Sequence, residues 1–187
     1  MKRFKFEIVF LTLLGAAFYW LIHDFNDWVF KLSEFSAHVN WIYLPAFLRL
    51  ANVLVLGPLF GSVATALGVC LICFFQGDPL LVLVLNSLAA ALGPLVSLYI
   101  FKIFKGREVH ISVLSDLLLL VAIYSVMNAL AHHSAWAIVD PDQFLSVSQL
   151  PIMVVGDFTG ACLGAILFSA LVHRLGILNF VKQRVGE

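Results

Sequence analysis

The sequence predicts an all-α protein, a polytopic transmembrane helix bundle of about six spans with both termini on the cytoplasmic side. Three observations lead there. The 187 residues are 62% hydrophobic and only 12% charged, whereas a soluble domain is roughly 45–50% apolar and about 25% charged. The apolar residues also gather into segments close to the ~20 residues that cross about 30 Å of hydrocarbon. The basic residues, finally, fall almost entirely on one side of those segments. A soluble fold needs polar side chains to cover its surface, and long stretches here have none, so lipid is the outer solvent.

The whole chain, 1–187, is expected to form a single membrane domain. Its first span, near 6–22, follows Lys2, Arg3 and Lys5. A basic start and an apolar middle also describe a signal peptide, but Phe18, Tyr19 and Trp20 stand where cleavage needs small residues. The span is therefore read as retained. Residues 23–40 mix Asp24, Asp27, Lys31 and Glu34 with Phe25, Trp28, Phe30, Leu32 and Phe35, a pattern that suits an amphipathic helix on the external membrane surface. Further spans are expected near 41–56, 58–76, 79–101, 112–131 and 150–173. Gly57 and Pro58 make one tight turn, and Gln76, Gly77, Asp78 and Pro79 another. Asp140, Pro141, Asp142 and Gln143 read as an exposed external turn.

Orientation follows from the basic residues. With the N-terminus inside, the cytoplasmic segments carry Lys2, Arg3, Lys5, Lys102, Lys105, Arg107, Arg174, Lys182 and Arg184, and the external loops carry Lys31 alone. Cytoplasmic loops attract such an excess. The bias emerges only with an even number of spans, so it tests the count as well as the direction. Arg49 is the remaining basic residue and falls inside the second span.

Several functions are disfavoured. Eleven Lys and Arg balance eleven Asp and Glu, and no nucleic-acid partner is expected. Cys70, Cys73 and Cys162 lie in apolar segments and read as small buried hydrophobes. The C-x-x-C pair does not open a helix after a strand, as a thioredoxin-like site would. No nucleophile elbow, zinc-protease motif, phosphate loop or dinucleotide fingerprint occurs. No catalytic residue, metal or cofactor is therefore expected. His132 and His133 are adjacent, hence about 100° apart on a helix of about 3.6 residues per turn, a poor chelating pair, and read as ordinary interfacial histidines.

Polar residues within the spans are the candidate site. A charge at mid-membrane costs at least about 2.5–3.5 kcal/mol and usually faces a bundle interior or a watery cavity. Arg49 lies eight residues inside the external start of the second span, and Asp157 seven inside that of the last. Both then sit roughly 10–12 Å deep at about 1.5 Å per residue. Asn86 enters the same layer, Asn52 lies a turn below Arg49, and Asn128 closes the layer from the fifth span. Two readings stand side by side. One is a structural network that fixes helix packing; the other is an outward-open pocket in which Arg49 holds a ligand's carboxylate or phosphate. Gly156, Gly160 and Gly164 repeat every four residues, which suits close helix packing within the chain or a dimer interface. Gly93 with Pro94, and Pro45, are candidate kinks of the sort that free backbone carbonyls.

The run Trp41, Ile42, Tyr43, Leu44, Pro45, Ala46, then Asn86 opening an Ala- and Leu-rich stretch to Gly93, then Val155, Gly156, Asp157, Phe158, Thr159 and Gly160, resembles the MASE-type membrane-associated sensor domains of bacteria. The resemblance covers about 41–171. It implies a multi-pass module of the bacterial inner (cytoplasmic) membrane in signal transduction, related to the inputs of diguanylate cyclases, phosphodiesterases and histidine kinases. Such domains usually have more spans and feed a cytoplasmic output domain. Here the signal is expected to pass to a separate protein, through residues 102–110 or 178–187. The layout is also similar to the substrate-binding subunits of energy-coupling-factor vitamin transporters, in which Gly15, Ala16 and Ala17 would face a transport partner. A membrane scaffold is the third reading. The expected partners are thus the lipid bilayer, another membrane or cytoplasmic protein, and a small-molecule ligand.

Overall fold

The apolar segments fold as helices because backbone polar groups in hydrocarbon must find their partners within the segment itself. The computed structural model describes residues 2–36, 39–111, 113–139 and 148–174. Five long helices make up most of it: α1 (Lys2–Val29), α2 (Pro45–Gln76), α3 (Leu80–Lys105), α4 (Leu114–Val139) and α5 (Gln149–Arg174). All five are long and apolar enough to cross a membrane. Their surfaces are inverted relative to a soluble bundle. Phe6, Val55, Leu80, Phe104 and Ile138 point outward, while Arg49, Asn52, Asn86, Asn128 and Asp157 are buried. Water would favour the reverse.

The segments 41–56 and 58–76 make up α2 as two helical halves that meet at a sharp break. Gly57 has φ 82° and ψ 166°, a conformation essentially reserved for glycine, and Pro58 next to it brings no N–H. A Cβ placed on Gly61 would lie 2.4 Å from the carbonyl oxygen of Asn52, although residues at that spacing stand about 13 Å apart along a straight helix. The Asn52 side-chain amide donates to Thr65 Oγ1 at 3.3 Å across the same gap. The chain therefore folds back at Gly57. α1 runs antiparallel to residues 45–56, with Asn26 beside Leu44 and Tyr19 beside Arg49. It runs parallel to residues 58–76, with Ala16 against Gly68 and Trp20 against Phe75.

Residues 23–40 depart from the expected surface helix. α1 continues to Val29, Lys31–Ser33 form a short 3-10 turn, and β1 (Glu34–Ser36) pairs antiparallel with β2 (Val39–Asn40). The cause is burial of two residues that a surface helix would leave wet. Asn26 is fully buried and accepts the Leu44 N–H at 2.9 Å. Val39 is fully buried among Ala129, Trp136, Ile152 and Met153. The segment thus folds down over the bundle instead of lying beside it.

The glycine ridge of α5 holds this cover in place. Cβ atoms added at Gly156, Gly160 and Gly164 would fall 1.9 Å from Asn40 O, 2.0 Å from Tyr43 O and 2.5 Å from Phe47 Cβ. The close approach lets the Tyr43 N–H donate to Gly156 O at 3.1 Å and Thr159 Oγ1 donate to Trp41 O at 2.9 Å. Irregular backbone at this depth is tolerable only with such partners. The ridge is therefore occupied within the chain. Gly15 and Ala16 likewise face α2: a Cβ on Gly15 would meet Asn52 and Ala64, and Ala16 is buried.

α3 and α4 pack antiparallel, with Gly93 against Asn128 and Asn86 against Trp136. Pro94 sits inside α3, and Ser97 Oγ donates to Gly93 O at 2.6 Å. Pro45 is not a kink but the first residue of α2, where its missing N–H costs nothing. Arg107 makes a two-pronged ion pair with buried Asp116 at 2.5 and 2.9 Å, which holds its guanidinium above the ordinary value. This pair ties the loop after α3 to the start of α4. α4 reaches Val139, beyond the expected end near 131, because His132, His133 and Trp136 are buried rather than interfacial. The turn at 140–143 and the segment 178–187 lie outside the described residues.

One substitution separates a reversed α2 from a straight one. Gly57→Ala is expected to destabilise the protein by about 1–3 kcal/mol, since alanine is strained at that φ and ψ. In a straight helix the same change would stabilise by roughly 0.5–1 kcal/mol. The midpoint of SDS-induced unfolding distinguishes the two signs.

Candidate functional site: a buried guanidinium beside a cavity

Arg49 projects from the first half of α2 into the middle of the bundle and is 3% exposed. A guanidinium offers five N–H donors, accepts nothing and does not lose its proton. Its partners come from three different stretches of chain, α1, the segment before α2, and α4. Nε donates to Tyr19 Oη at 2.8 Å, Nη1 to Asn128 Oδ1 at 2.7 Å, and Nη2 to Tyr43 Oη at a longer 3.4 Å. Nη1 also lies 3.2 Å from His132 Nε2. The Tyr19 and Tyr43 hydroxyls are 3.0 Å apart, and the guanidinium carbon lies 5.5 and 5.3 Å from the two ring centres. Each ring therefore offers its π-face as well as its oxygen.

The countercharge is one residue removed. Asn128 Nδ2 donates to Asp157 Oδ2 at 2.6 Å while its Oδ1 accepts from Arg49. A guanidinium only donates and a carboxylate only accepts, so the orientation of the bridging amide is forced. Gly93 makes room for it: a Cβ there would come within 2.8 Å of Asn128 Oδ1. Asn86 belongs to an adjoining pair. Its Oδ1 accepts the Trp136 Nε1–H at 2.7 Å, and its Nδ2 points to Cys73 Sγ at 3.9 Å.

These groups border a cavity of about 430 Å³, within the range of small-molecule sites, roughly 300–1,000 Å³. Its inner end is formed by Arg49, Tyr43, Asn86, His132 and Asp157, and apolar lining comes from Val69 and Ile72 of one core cluster and Met153 and Trp136 of another. The other end is a rim of Asp27, Lys31, Glu34 and Gln76, all exposed. The cavity thus leads from water at the β-hairpin end down to a buried cation.

Of the residues singled out from the sequence, Arg49, Asn86 and Asp157 line the cavity and Asn128 links two of them. Asn52 stands apart, its amide spent on Thr65 in the α2 reversal. His132, read from sequence as interfacial, touches the guanidinium. Tyr19 and Tyr43 were not singled out as site residues, although Tyr43 stands in the run Trp41 to Ala46; the sequence signal that could have found them is aromatic hydroxyls at the depth of a buried arginine. Among the described residues no three His, Cys, Asp or Glu side chains gather as metal ligands.

The fold and this centre define a class: an α-helical multi-pass membrane protein with a charged core open to one end of the bundle. No protein-family model, curated protein or solved structure matches the chain.

Asn128 is the test of the centre's wiring. Asn128→Leu keeps the volume but strips a hydrogen bond from each of two buried charges, and such breaks cost about 3–5 kcal/mol. Asn52→Ala, outside the centre, is expected to cost about 1 kcal/mol. SDS unfolding of the two variants should reproduce that order.

Proposed function

We propose that the chain is a multi-pass sensory module of a bacterial inner membrane, binding a small ligand from the external side in the cavity above Arg49. One observation carries the reading. An obligate charge lies at the inner end of a cavity that reaches water, and every group directly bonded to it is neutral. Intramembrane ionisable groups with such access belong to ligand and ion paths far more often than to packing alone. The bland alternative, a network that only fixes helix packing, has no use for the cavity.

Counting the halves of α2 as separate passes gives six, with both termini cytoplasmic and the rim of Asp27, Lys31 and Glu34 outside. The distribution of Lys and Arg supports this orientation. Parity is the same whether the Gly57 bend reaches the far face or turns within hydrocarbon, since the chain re-emerges on the side it entered. Transmission has a short physical route. α4 carries Asn128 at the cavity and Asp116, which holds Arg107, about 18 Å away at about 1.5 Å per residue. A ligand that pulls on Asn128 shifts the helix to which the cytoplasmic segment 106–111 is tied, and that segment is the surface offered to an output partner. The sensory reading is preferred to a transport subunit because Gly15 and Ala16, two of the three small residues that reading needs on α1, already pack on α2.

Purification in mild detergent, with mass spectrometry of everything that co-elutes from wild type and Arg49→Ala, tests the reading. A small molecule held by wild type and lost from the variant is expected. A stoichiometric membrane protein with no small molecule in either would make the chain a scaffold and the centre packing.

A further inference from the structure

The arrangement of the two buried charges says more about the ligand than that it is polar. A membrane bundle neutralises an arginine and an aspartate most simply by direct contact, since a separated buried charge is costly. Here Asn128 stands between them, holding Arg49 at 2.7 Å on one side and Asp157 at 2.6 Å on the other. Both charged residues line the same cavity. The wall therefore presents a fixed cation and a fixed anion side by side, one head group apart. Arg49 Nη2 is the most loosely held part of the guanidinium, its contact to Tyr43 being long at 3.4 Å. Asp157 binds Asn128 through Oδ2, which leaves acceptor capacity on the carboxylate.

A simple anion approaching Arg49 would meet the field of Asp157, and a simple cation approaching Asp157 would meet that of Arg49. A ligand carrying both charges meets complementary fields at both. The exposed rim carries both signs, Lys31 beside Asp27 and Glu34. The cavity is also lined by Val69, Ile72, Met153 and Trp136, which are apolar and buried, and this suits a hydrocarbon or aromatic group on the same molecule.

Resting on the reading of this cavity as a binding site, we infer that its ligand is a small zwitterion with an apolar body, in the chemical class of α-amino acids with large apolar side chains. The carboxylate sits on Arg49 Nη2, the ammonium on Asp157, and the side chain against Val69, Ile72, Met153 and Trp136.

Two isosteric series test this with the full chain in lipid nanodiscs. One is L-tryptophan, 3-indolepropionate without the ammonium, and tryptamine without the carboxylate; the other is L-leucine, 4-methylpentanoate and isopentylamine. Calorimetric titration should show at least one amino acid binding tenfold or more tighter than both of its truncated analogues. Asp157→Asn, which still accepts from Asn128, should bring that amino acid down to the affinity of its deaminated analogue, and Arg49→Gln down to that of its amine. Equal binding of the amino acid and its deaminated analogue would overturn the zwitterion assignment and leave an anion site. Failure of all six probes, while wild type still releases a small molecule that Arg49→Ala lacks, would overturn the assignment alone. Failure of all six with no co-purifying molecule would remove the binding reading as well.

Discussion

A guanidinium keeps its charge at every depth of a bilayer, and the burial of Arg49 is the constraint around which this bundle is organised. Its donors must all be directed, which draws Tyr19 from α1, Tyr43 from the segment before α2, and Asn128 and His132 from α4 to one point. Asp157 of α5 joins through Asn128. Four of the five long helices thus owe part of their register to a single side chain. α3 is aligned indirectly, because Gly93 must clear Asn128 and Asn86 must accept from Trp136.

Two backbone features make this convergence possible. The reversal at Gly57 returns the chain beside α1, so that α1 packs on both halves of α2 within a few residues of the centre. The ridge of Gly156, Gly160 and Gly164 admits residues 40–47 at main-chain contact distance. That contact places Tyr43 and then Arg49 at their depth. Small residues here have a specific purpose: they set how far into the bundle a polar segment can be carried.

Depth counting along apolar segments found Arg49, Asn86, Asn128 and Asp157 because helix rise is nearly constant, so sequence offset from a span's start converts directly to height. Facing is harder to read. Asn52 has the right height, but the second half of α2 lies on its side and takes its amide. Tyr19, Tyr43 and His132 did not read as partners of Arg49, because aromatic and histidine residues near a span's end ordinarily mark the membrane interface. The cover formed by residues 31–36 and 39–40 was illegible for another reason. Its charges suggested a wet surface helix, and only the buried anchors Asn26 and Val39, neither part of a periodic pattern, turn it inward. The break at Gly57 and Pro58 was legible from residue type alone, since glycine admits the positive φ found there and proline brings no N–H.

Arg49 and Asp157 form one coupled unit although Asn128 stands between them. A double-mutant cycle of Arg49→Met and Asp157→Leu, read as unfolding free energy in SDS, measures this directly. Either single change leaves the other charge buried without its counterpart, so the double variant should be less destabilised than the sum of the singles by at least about 1 kcal/mol, within the range for residues sharing one network. Strict additivity, within about 0.3–0.5 kcal/mol, would mean that the two charges are balanced independently and that the Asn128 bridge does not hold the centre together.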